Sequence, residues 1–424
     1  MLVFKFGGAS VKDAEAVRNV ASIIKRFPST NIAIVVSAMG KTTNKLEEIA
    51  HAFYHRNELA FNGHVSELEA YHVGISKELF SDEHADIHQI LKQEVDRLKR
   101  WYVASVPENF SYLYDQLVSI GELLSSQLLN AFLTQESILS KWVDARTIIR
   151  TDSNYQEGKV LWNKTESLIN AHLSPLFKNK DVIVTQGFIG HTSEGFTTTL
   201  GREGSDYTAG IIAYCTNAEN VTIWKDVPGM LNADPKQFSD TVKLNQISFK
   251  EAIELSYYGA SVIHPKTIKP LQNKGIPLYV KSFLDPDEPG TVIQESTAQD
   301  HLIPSFIVKR DQLLISITTK DFSFVAEEHL SDIFGRLNRM GLHVNLMQNS
   351  ALDFSMVLDQ KKVPIESFMD HFKDNYHVRY NEGLELVTIR HYNDHIIGKL
   401  TQEKVVLLEQ RTRQTARLVL KPAF

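Results

Sequence analysis

Leu2-Val3-Phe4-Lys5-Phe6-Gly7-Gly8-Ala9-Ser10 decides the fold: an apolar run of strand length carries one lysine, breaks at adjacent glycines and leads into an amphipathic segment at residues 13–26. The next apolar run is Asn31-Ile32-Ala33-Ile34-Val35-Val36-Ser37. Strand, glycine turn, helix and strand in that order make a βαβ unit, and continuous β-branched runs belong to strands covered on both faces. The sheet is therefore expected to be parallel and covered by helices.

Working outward, residues 44–136 are sparse in glycine and place apolar residues at helical spacing. They read as several helices, one of them opened or interrupted by Ser119-Ile120-Gly121-Glu122. Further strands are expected at 180–185, 220–224 and 276–280, with helices at 205–214 and 248–257. Strands alternating with helices in this way indicate one α/β domain, residues 1–284. The cluster Asp285-Pro286-Asp287-Glu288-Pro289-Gly290 and the polar stretch up to Pro304 read as a linker, residues 285–304. From 305 to 424 the grammar changes. Strands are expected at 312–318, 343–350, 353–358, 384–389 and 415–420, with helices at 327–340 and 365–372. Two ferredoxin-like α+β modules in tandem produce that alternation.

Composition bounds the function. The 424 residues include 45 Lys+Arg and 51 Asp+Glu, a formal balance of −6. That argues against a nucleic-acid partner or an anionic membrane. At roughly 150 residues per domain the chain holds two to three domains. No uninterrupted apolar run approaches the roughly 18 residues of a membrane span. The lone Cys215 has no internal disulfide partner and reads as a small buried hydrophobe, which fits a reducing compartment. Met1 runs into the first strand with no room for a secretory leader, so a cytoplasmic location is expected.

Three segments carry chemistry. In the first, glycines after a strand let backbone N–H groups approach an anion, while Lys5 and the following helix N-terminus add positive potential. This reads as a phosphate cradle, against the blander reading of a tight βα turn with a solvated lysine. G-x-G-x-x-G spacing is absent, and Gly40-Lys41-Thr42 imitates a Walker A ending whose earlier glycine is replaced by Val35. The second segment, Thr199-Leu200-Gly201-Arg202-Glu203-Gly204-Ser205-Asp206, sets an arginine able to grip a carboxylate or phosphate bidentately at a loop-to-helix junction, where Asp206 alone would be an ordinary N-cap. It follows Gln186-Gly187-Phe188-Ile189-Gly190, another strand-ending glycine turn. Ligands in such sheets collect at the carboxyl ends of strands. The third runs from Trp224-Lys225-Asp226-Val227-Pro228-Gly229 to Ala233-Asp234-Pro235-Lys236, either a turn-rich loop or the wall of a nucleotide site. His51/His55 and His84/His88 have i,i+4 spacing but no third ligand, and read as exposed helix surface.

Together these segments resemble the aspartate kinase family of the amino-acid kinase superfamily. The resemblance covers essentially the whole chain. It rests on the order and spacing of residues 5–11, Ser37-Ala38-Met39-Gly40-Lys41-Thr42-Thr43-Asn44, 119–122, Val143-Asp144-Ala145-Arg146, 185–190, 199–209, 224–229, 233–235 and Gly259-Ala260-Ser261-Val262-Ile263-His264-Pro265-Lys266-Thr267. It implies transfer of the ATP γ-phosphoryl group to the side-chain carboxylate of L-aspartate, the first step of lysine, threonine and methionine biosynthesis. Lys5 would lie against the transferring phosphoryl, with Gly7 and Gly8 donating to it. Arg202 would clamp the aspartate α-carboxylate, and Glu122 would accept from its α-ammonium. Ser37, Thr43 and Ser205 would orient the substrate. Asp206 would organise Lys5, the phosphates and Mg2+, the metal being held mainly by phosphate and water with no protein metal site. Asp226, Asp234 and Lys236 would face the nucleotide.

Three departures from the family pattern stand out. Ala9 replaces a usual threonine, Glu203 a frequent glycine, and Ser261 a nucleotide-contacting lysine, for which Lys266 could substitute. Residues 305–424 resemble paired ACT domains, especially Asn345-Leu346-Met347-Gln348-Asn349-Ser350 and 384–391. That implies a homodimer formed through them and feedback inhibition by lysine or threonine, although residues 320–328 lack the glycine frequent in effector loops. Without a C-terminal Rossmann unit, fusion to homoserine dehydrogenase is not expected. Two other readings stay open: another amino-acid kinase, such as one acting on glutamate, and an ACT-type sensor that has lost turnover.

Overall fold

The computed structural model describes residues 1–81, 86–104, 108–177, 181–260, 263–321 and 323–422. His84, Lys180, Ser261, Val262 and Phe322, which enter the readings above, lie outside the described residues. Chain packing gives two compact units. The first comprises Met1–Met230, Lys243–Ile253 and Val262–Thr297; the second comprises Leu231–Val242, Glu254–Ser261 and Ala298–Phe424.

The first unit contains strands β1 (Leu2–Phe6), β2 (Ile32–Val36), β3 (Ser140–Val143), β4 (Val182–Gln186), β5 (Ile189–His191), β6 (Thr197–Thr199), β7 (Asn220–Lys225), β8 (Gln246–Ser248), β9 (Leu278–Ser282) and β10 (Thr291–Gln294). Eight of them form one sheet in the order β3-β4-β2-β1-β7-β9-β10-β8, while β5 and β6 pair as a separate antiparallel ribbon. From β3 to β9 every pairing is parallel, and β10 runs antiparallel to β9. Every residue of β1, β2 and β4 is buried, as expected for strands covered on both faces.

The helix Ala14–Lys25 buries Val17, Val20, Ala21 and Ile24 and starts at Asp13, whose carboxylate accepts from Ala16 N at 2.8 Å. Such a cap is worth about 1 kcal/mol. The helix Ile120–Gln135 opens at Ile120, so Ser119-Ile120-Gly121-Glu122 begins a helix rather than interrupting one. Among the described residues one helical stretch, Phe110–Gln135, is long and apolar enough to cross a membrane, and 78% of that window is buried inside the protein.

Five strands of this unit, β3, β5, β6, β8 and β10, were not expected. β3 is short and half-exposed, with too few apolar residues to show alternation. β10 lies inside the stretch read as a linker and sits between β9 and β8. The turn leading to it needs Gly290, which has φ 73°, and where a Cβ would stand 2.2 Å from Val280 O.

The second unit carries an antiparallel sheet of β11 (Ser305–Thr319), β12 (Leu346–Asn349), β13 (Asp353–Asp359), β14 (Tyr376–Arg390), β15 (Lys404–Arg411) and β16 (Thr415–Pro422), ordered β12-β13-β11-β14-β16-β15. Two α+β halves are present, as read, but they are interleaved. The later halves of β11 and the earlier half of β14 join β12 and β13 around Ile315, Ile333, Phe354 and Phe368. The module built on Leu384–Arg390 pairs instead with Ser305–Lys309 and β16, around Val387, Ile397 and Leu418. Its edge strand therefore precedes the other module in the chain. The register shifts between Lys309 and Gln312, where Asp311 has φ 54°, and Gly383 has φ 67° on the facing strand. These bulges re-aim both long strands from one core to the other.

Candidate active site

A cavity of about 570 Å³ opens in the first unit, within the size range of small-molecule sites. Its lining includes Lys5 on β1, Ser37 after β2, Phe188 after β4 and Lys225 at the end of β7. These four strands are adjacent and parallel in the sheet. The cavity thus sits at their carboxyl ends, where backbone N–H groups and helix N-termini converge.

Lys5 is 9% exposed, and its ammonium pairs with Asp206 Oδ1 at 2.7 Å. Lys225 Nζ stands 3.8 Å from Asp206 Oδ2. Asp206 lies in the first turn of the helix Gly204–Thr216, which favours a carboxylate there. One buried anion thus holds two cations side by side that would otherwise repel. A Cβ on Gly7 would stand 3.3 Å from Lys5 Nζ, so the turn folds directly over the ammonium. At Gly8 a Cβ would meet Gly40 O at 2.7 Å and Ala38 O at 2.9 Å, which explains the second glycine as a close approach of the 38–40 loop.

Glu122, in the first turn of its helix, is 2% exposed. Ala38 N donates to its Oε1 at 3.4 Å, and its Oε2 is buried without a partner among the described residues. Burial pushes the Glu122 carboxyl up to about 8, against the pull of the Ala38 N–H and of Lys5. A buried carboxyl with an open oxygen is suited to accept a cationic donor from a ligand. Arg202 is an exposed member of the lining, and Ser205 a buried one.

Of the residues singled out above, the cavity brings together Lys5, Ser37, Thr43, Glu122, Arg202, Ser205 and Asp206. Gly7 and Gly8 lie in the turn beside it, and Asp226 is the exposed residue following Lys225. Asp234 and Lys236 belong to the second unit, where the Asp234 carboxylate accepts from Lys236 N at 2.9 Å within a turn. Cys215 is buried, as read. His51 stacks on Phe110 with ring centroids 4.7 Å apart, and His88 Nδ1 lies 3.0 Å from Ser76 Oγ.

Lys225, Tyr114, Gln156, Glu157, Phe188 and Thr199 line the cavity without having been proposed from sequence. Lys225 was within reach of register reasoning. Lys5 is opposite Ile223, so the residue two further along β7 shares its face. Gln156, Phe188 and Glu203 have φ of 68°, 69° and 53°, left-handed conformations that cost a side-chain-bearing residue roughly 1–2 kcal/mol each. Strain of this kind persists where the surroundings over-determine it, and three of the ten left-handed non-glycine residues among the described ones line this cavity. The φ at Glu203 also explains the glycine frequent there in the family. Glu203 Oε2 is buried without a partner among the described residues, and burial holds its carboxyl above the usual range against the pull of Lys225. Lys266 Nζ lies at the cavity edge, 3.6 Å from where a Cβ on Gly201 would stand.

Residues 1–282 match the Amino acid kinase family. The chain is 31% identical over 402 residues to the lysine-sensitive aspartokinase 3 of Escherichia coli K12, covering 92% of this chain and 86% of that protein. It is 31% identical over 383 residues to the chloroplastic aspartokinase 1 of Arabidopsis thaliana, covering 87% of this chain and 66% of that one. In structure it is similar to E. coli aspartokinase III in complex with aspartate and ADP (R-state), with TM-score 0.81, 26% identity and coverage of 100% of this chain and 96% of that one. The same enzyme in complex with lysine and aspartate (T-state) gives TM-score 0.82 and 28% identity with the same coverage.

Proposed function

The chain belongs to the amino acid kinase family, and from that premise we infer that it is an aspartate kinase, transferring the ATP γ-phosphoryl group to the β-carboxylate of L-aspartate. The observation that carries this reading is the meeting of Lys5, Asp206, Arg202 and Glu122 around one cavity. The acceptor carboxylate is ionised at neutral pH, so no general base is needed, and the barrier lies in bringing two anions together.

Lys5 and Lys225, held by Asp206, present fixed positive charge to the transferring phosphoryl, and fixed charge needs no reorganisation as the reaction proceeds. Arg202 takes the aspartate α-carboxylate, and Glu122 Oε2 takes the α-ammonium, whose arrival drives the proton off a carboxyl otherwise neutral below about pH 8. Ser37, Thr43 and Ser205 orient the acceptor. Gly7 and Gly8 donate to phosphate. Asp226, Asp234 and Lys236 serve the nucleotide. Mg2+ would be carried mainly by nucleotide phosphates and water, and the carboxylates that would face it are Asp206 and Glu203, the latter with an open oxygen. When bound, the ion neutralises phosphate charge.

The reading extends to a catalytic domain at 1–284 that β10 completes from within 285–304, to a regulatory domain at 305–424, to lysine as the effector and to a homodimer formed through the ACT modules. It places the protein in the cytoplasm, without nucleic-acid or membrane partners. The likeness to the lysine-sensitive E. coli enzyme supports the effector. A coupled ADP-release assay with L-aspartate, L-glutamate and no acceptor tests the function. Release dependent on aspartate is expected. Release with glutamate alone would identify a different amino-acid kinase, and no acceptor-dependent release would identify a sensor.

A further inference from the structure

Outside the charged cluster, the first unit holds a buried carboxylate that the reaction does not use. Asp115, on the helix Phe110–Val118, is 0% exposed. Its Oδ2 accepts from Gln156 N at 2.9 Å and from Thr199 N at 2.9 Å, and its Oδ1 accepts from Thr199 Oγ1 at 2.7 Å. All three donors belong to residues lining the cavity. The neighbouring Gln116 repeats the pattern, donating to Thr197 O at 2.7 Å and accepting from Thr197 N at 3.2 Å.

The segments held in this way are also tied to each other, Gly158 N donating to Thr199 O at 2.8 Å, and Gln156 Nε2 lies 3.3 Å from Ser111 Oγ on the same helix. Asp115 is nevertheless the one carboxylate among the described residues on which both converge. Thr199 ends β6, half of a two-stranded ribbon, and Gln156 lies in the irregular stretch between β3 and β4 in the left-handed conformation. A Cβ on Gly201 would stand 3.3 Å from Gln156 O and 3.4 Å from Glu157 Cγ, so this stretch abuts the residue preceding Arg202. Taking a carboxylate fully out of water is costly unless its lone pairs are filled. Here they are filled by cavity-wall donors, and burial still pushes the Asp115 carboxyl up to about 6.

We propose that Asp115 is a positioning residue for the acceptor: it ties Gln156 and Thr199 to the helix Phe110–Val118 and so fixes the wall against which L-aspartate is held. This rests on the aspartate kinase reading above. Asp115→Asn keeps the volume and can still accept both backbone N–H groups on its amide oxygen. It removes the negative charge on which the three donors converge, however, and turns its NH2 towards the Thr199 hydroxyl, which must reverse to accept. The expected result is an aspartate KM raised by about tenfold or more with the ATP KM unchanged, since a wall displaced by a fraction of an ångström misaligns one substrate only. Hydrogen exchange at the Gln156 and Thr199 amides should quicken by about tenfold or more while the β1 and β2 amides keep their protection.

Thr199→Val removes only the hydroxyl donor and supplies the test if the Asn variant folds poorly. It should raise the aspartate KM less, and the double variant should fall short of additivity. Parallel rises in both KM values, or unchanged exchange at Gln156 and Thr199, would overturn the proposal. If the wild-type protein shows no aspartate-dependent ADP release, it is the functional reading that fails, and the exchange data still decide whether Asp115 holds the wall.

Discussion

The two units keep their charges in different places. In the first, Lys5, Asp115, Glu122 and Asp206 are all buried beside one cavity or its wall. In the second, ion pairs such as Lys361–Asp311 and Lys373–Asp370 stand in the open, and the buried Arg390 is satisfied by Thr415 Oγ1 at 2.7 Å and Glu254 at 3.5 Å. Burying an ion costs several kcal/mol before any partner compensates it. A unit that buries three of them, Lys5, Asp115 and Asp206, together with a protonated Glu122 around a ligand-sized space spends stability on chemistry, whereas exposed pairs contribute little to either.

The largest effect should come from Lys5→Ala, which removes one of two cations facing the transferring phosphoryl. We expect kcat to fall about 10³-fold, in the range seen when a preorganised charge-stabilising donor is deleted. Thermal unfolding should shift far less, because Lys225 still neutralises Asp206. Equal losses in both would break the comparison. Arg202→Ala should raise the aspartate KM about 10- to 100-fold with kcat largely kept, the cost of one charge-assisted pair. Steady-state kinetics with both substrates varied would check it.

A smaller effect sharpens the same contrast. Glu203→Gly relieves left-handed strain and removes a carboxylate from the site of two anions. The variant should be about 1 kcal/mol more stable to denaturant.

Glu122 gives a pH signature. Its folded value, about 8, lies above the ordinary 4.5, so the folded state holds the proton more tightly than the unfolded chain. Its contribution is therefore fully present below pH 4.5 and is lost as pH rises towards 8. Glu122→Gln should flatten the fall of Tm across that window, and aspartate binding to the wild type at pH 7 should release a proton, measurable by calorimetry in buffers of different ionisation enthalpy. At the bottom of the scale, Lys361→Ala in the second unit should leave Tm unchanged within error, its side chain being 83% exposed.

Sequence reasoning reached the long buried strands of the first unit most fully, for a physical reason. β1, β2 and β4 are continuous buried runs, and their pattern is local. The helix Ile365–Phe372 matches its reading to the residue. By contrast, β11 and β14 each serve two cores, and the bulges at Asp311 and Gly383 interrupt their alternation. Residues 305–309 and 376–381 therefore showed no strand pattern. β10 was hidden behind a Pro and Gly turn that reads as a linker but folds back onto β9.

The site divides in the same way. Lys5, Arg202 and Asp206 sit beside glycine turns that announce themselves. Gln156 and Glu157 lie on a loop held by a carboxylate 41 residues earlier and by Thr199 O, contacts no local pattern records. Asp234 and Lys236 follow a familiar motif, yet their segment packs with the second unit.

The most direct test is a crystal structure of the protein with L-aspartate and a nonhydrolysable ATP analogue. The γ-phosphate should lie within about 3 Å of Lys5 Nζ, in line with the aspartate β-carboxylate, with Arg202 on the α-carboxylate. A terminal phosphate bound away from Lys5 and Lys225, or an aspartate whose α-carboxylate avoids Arg202, would contradict the account.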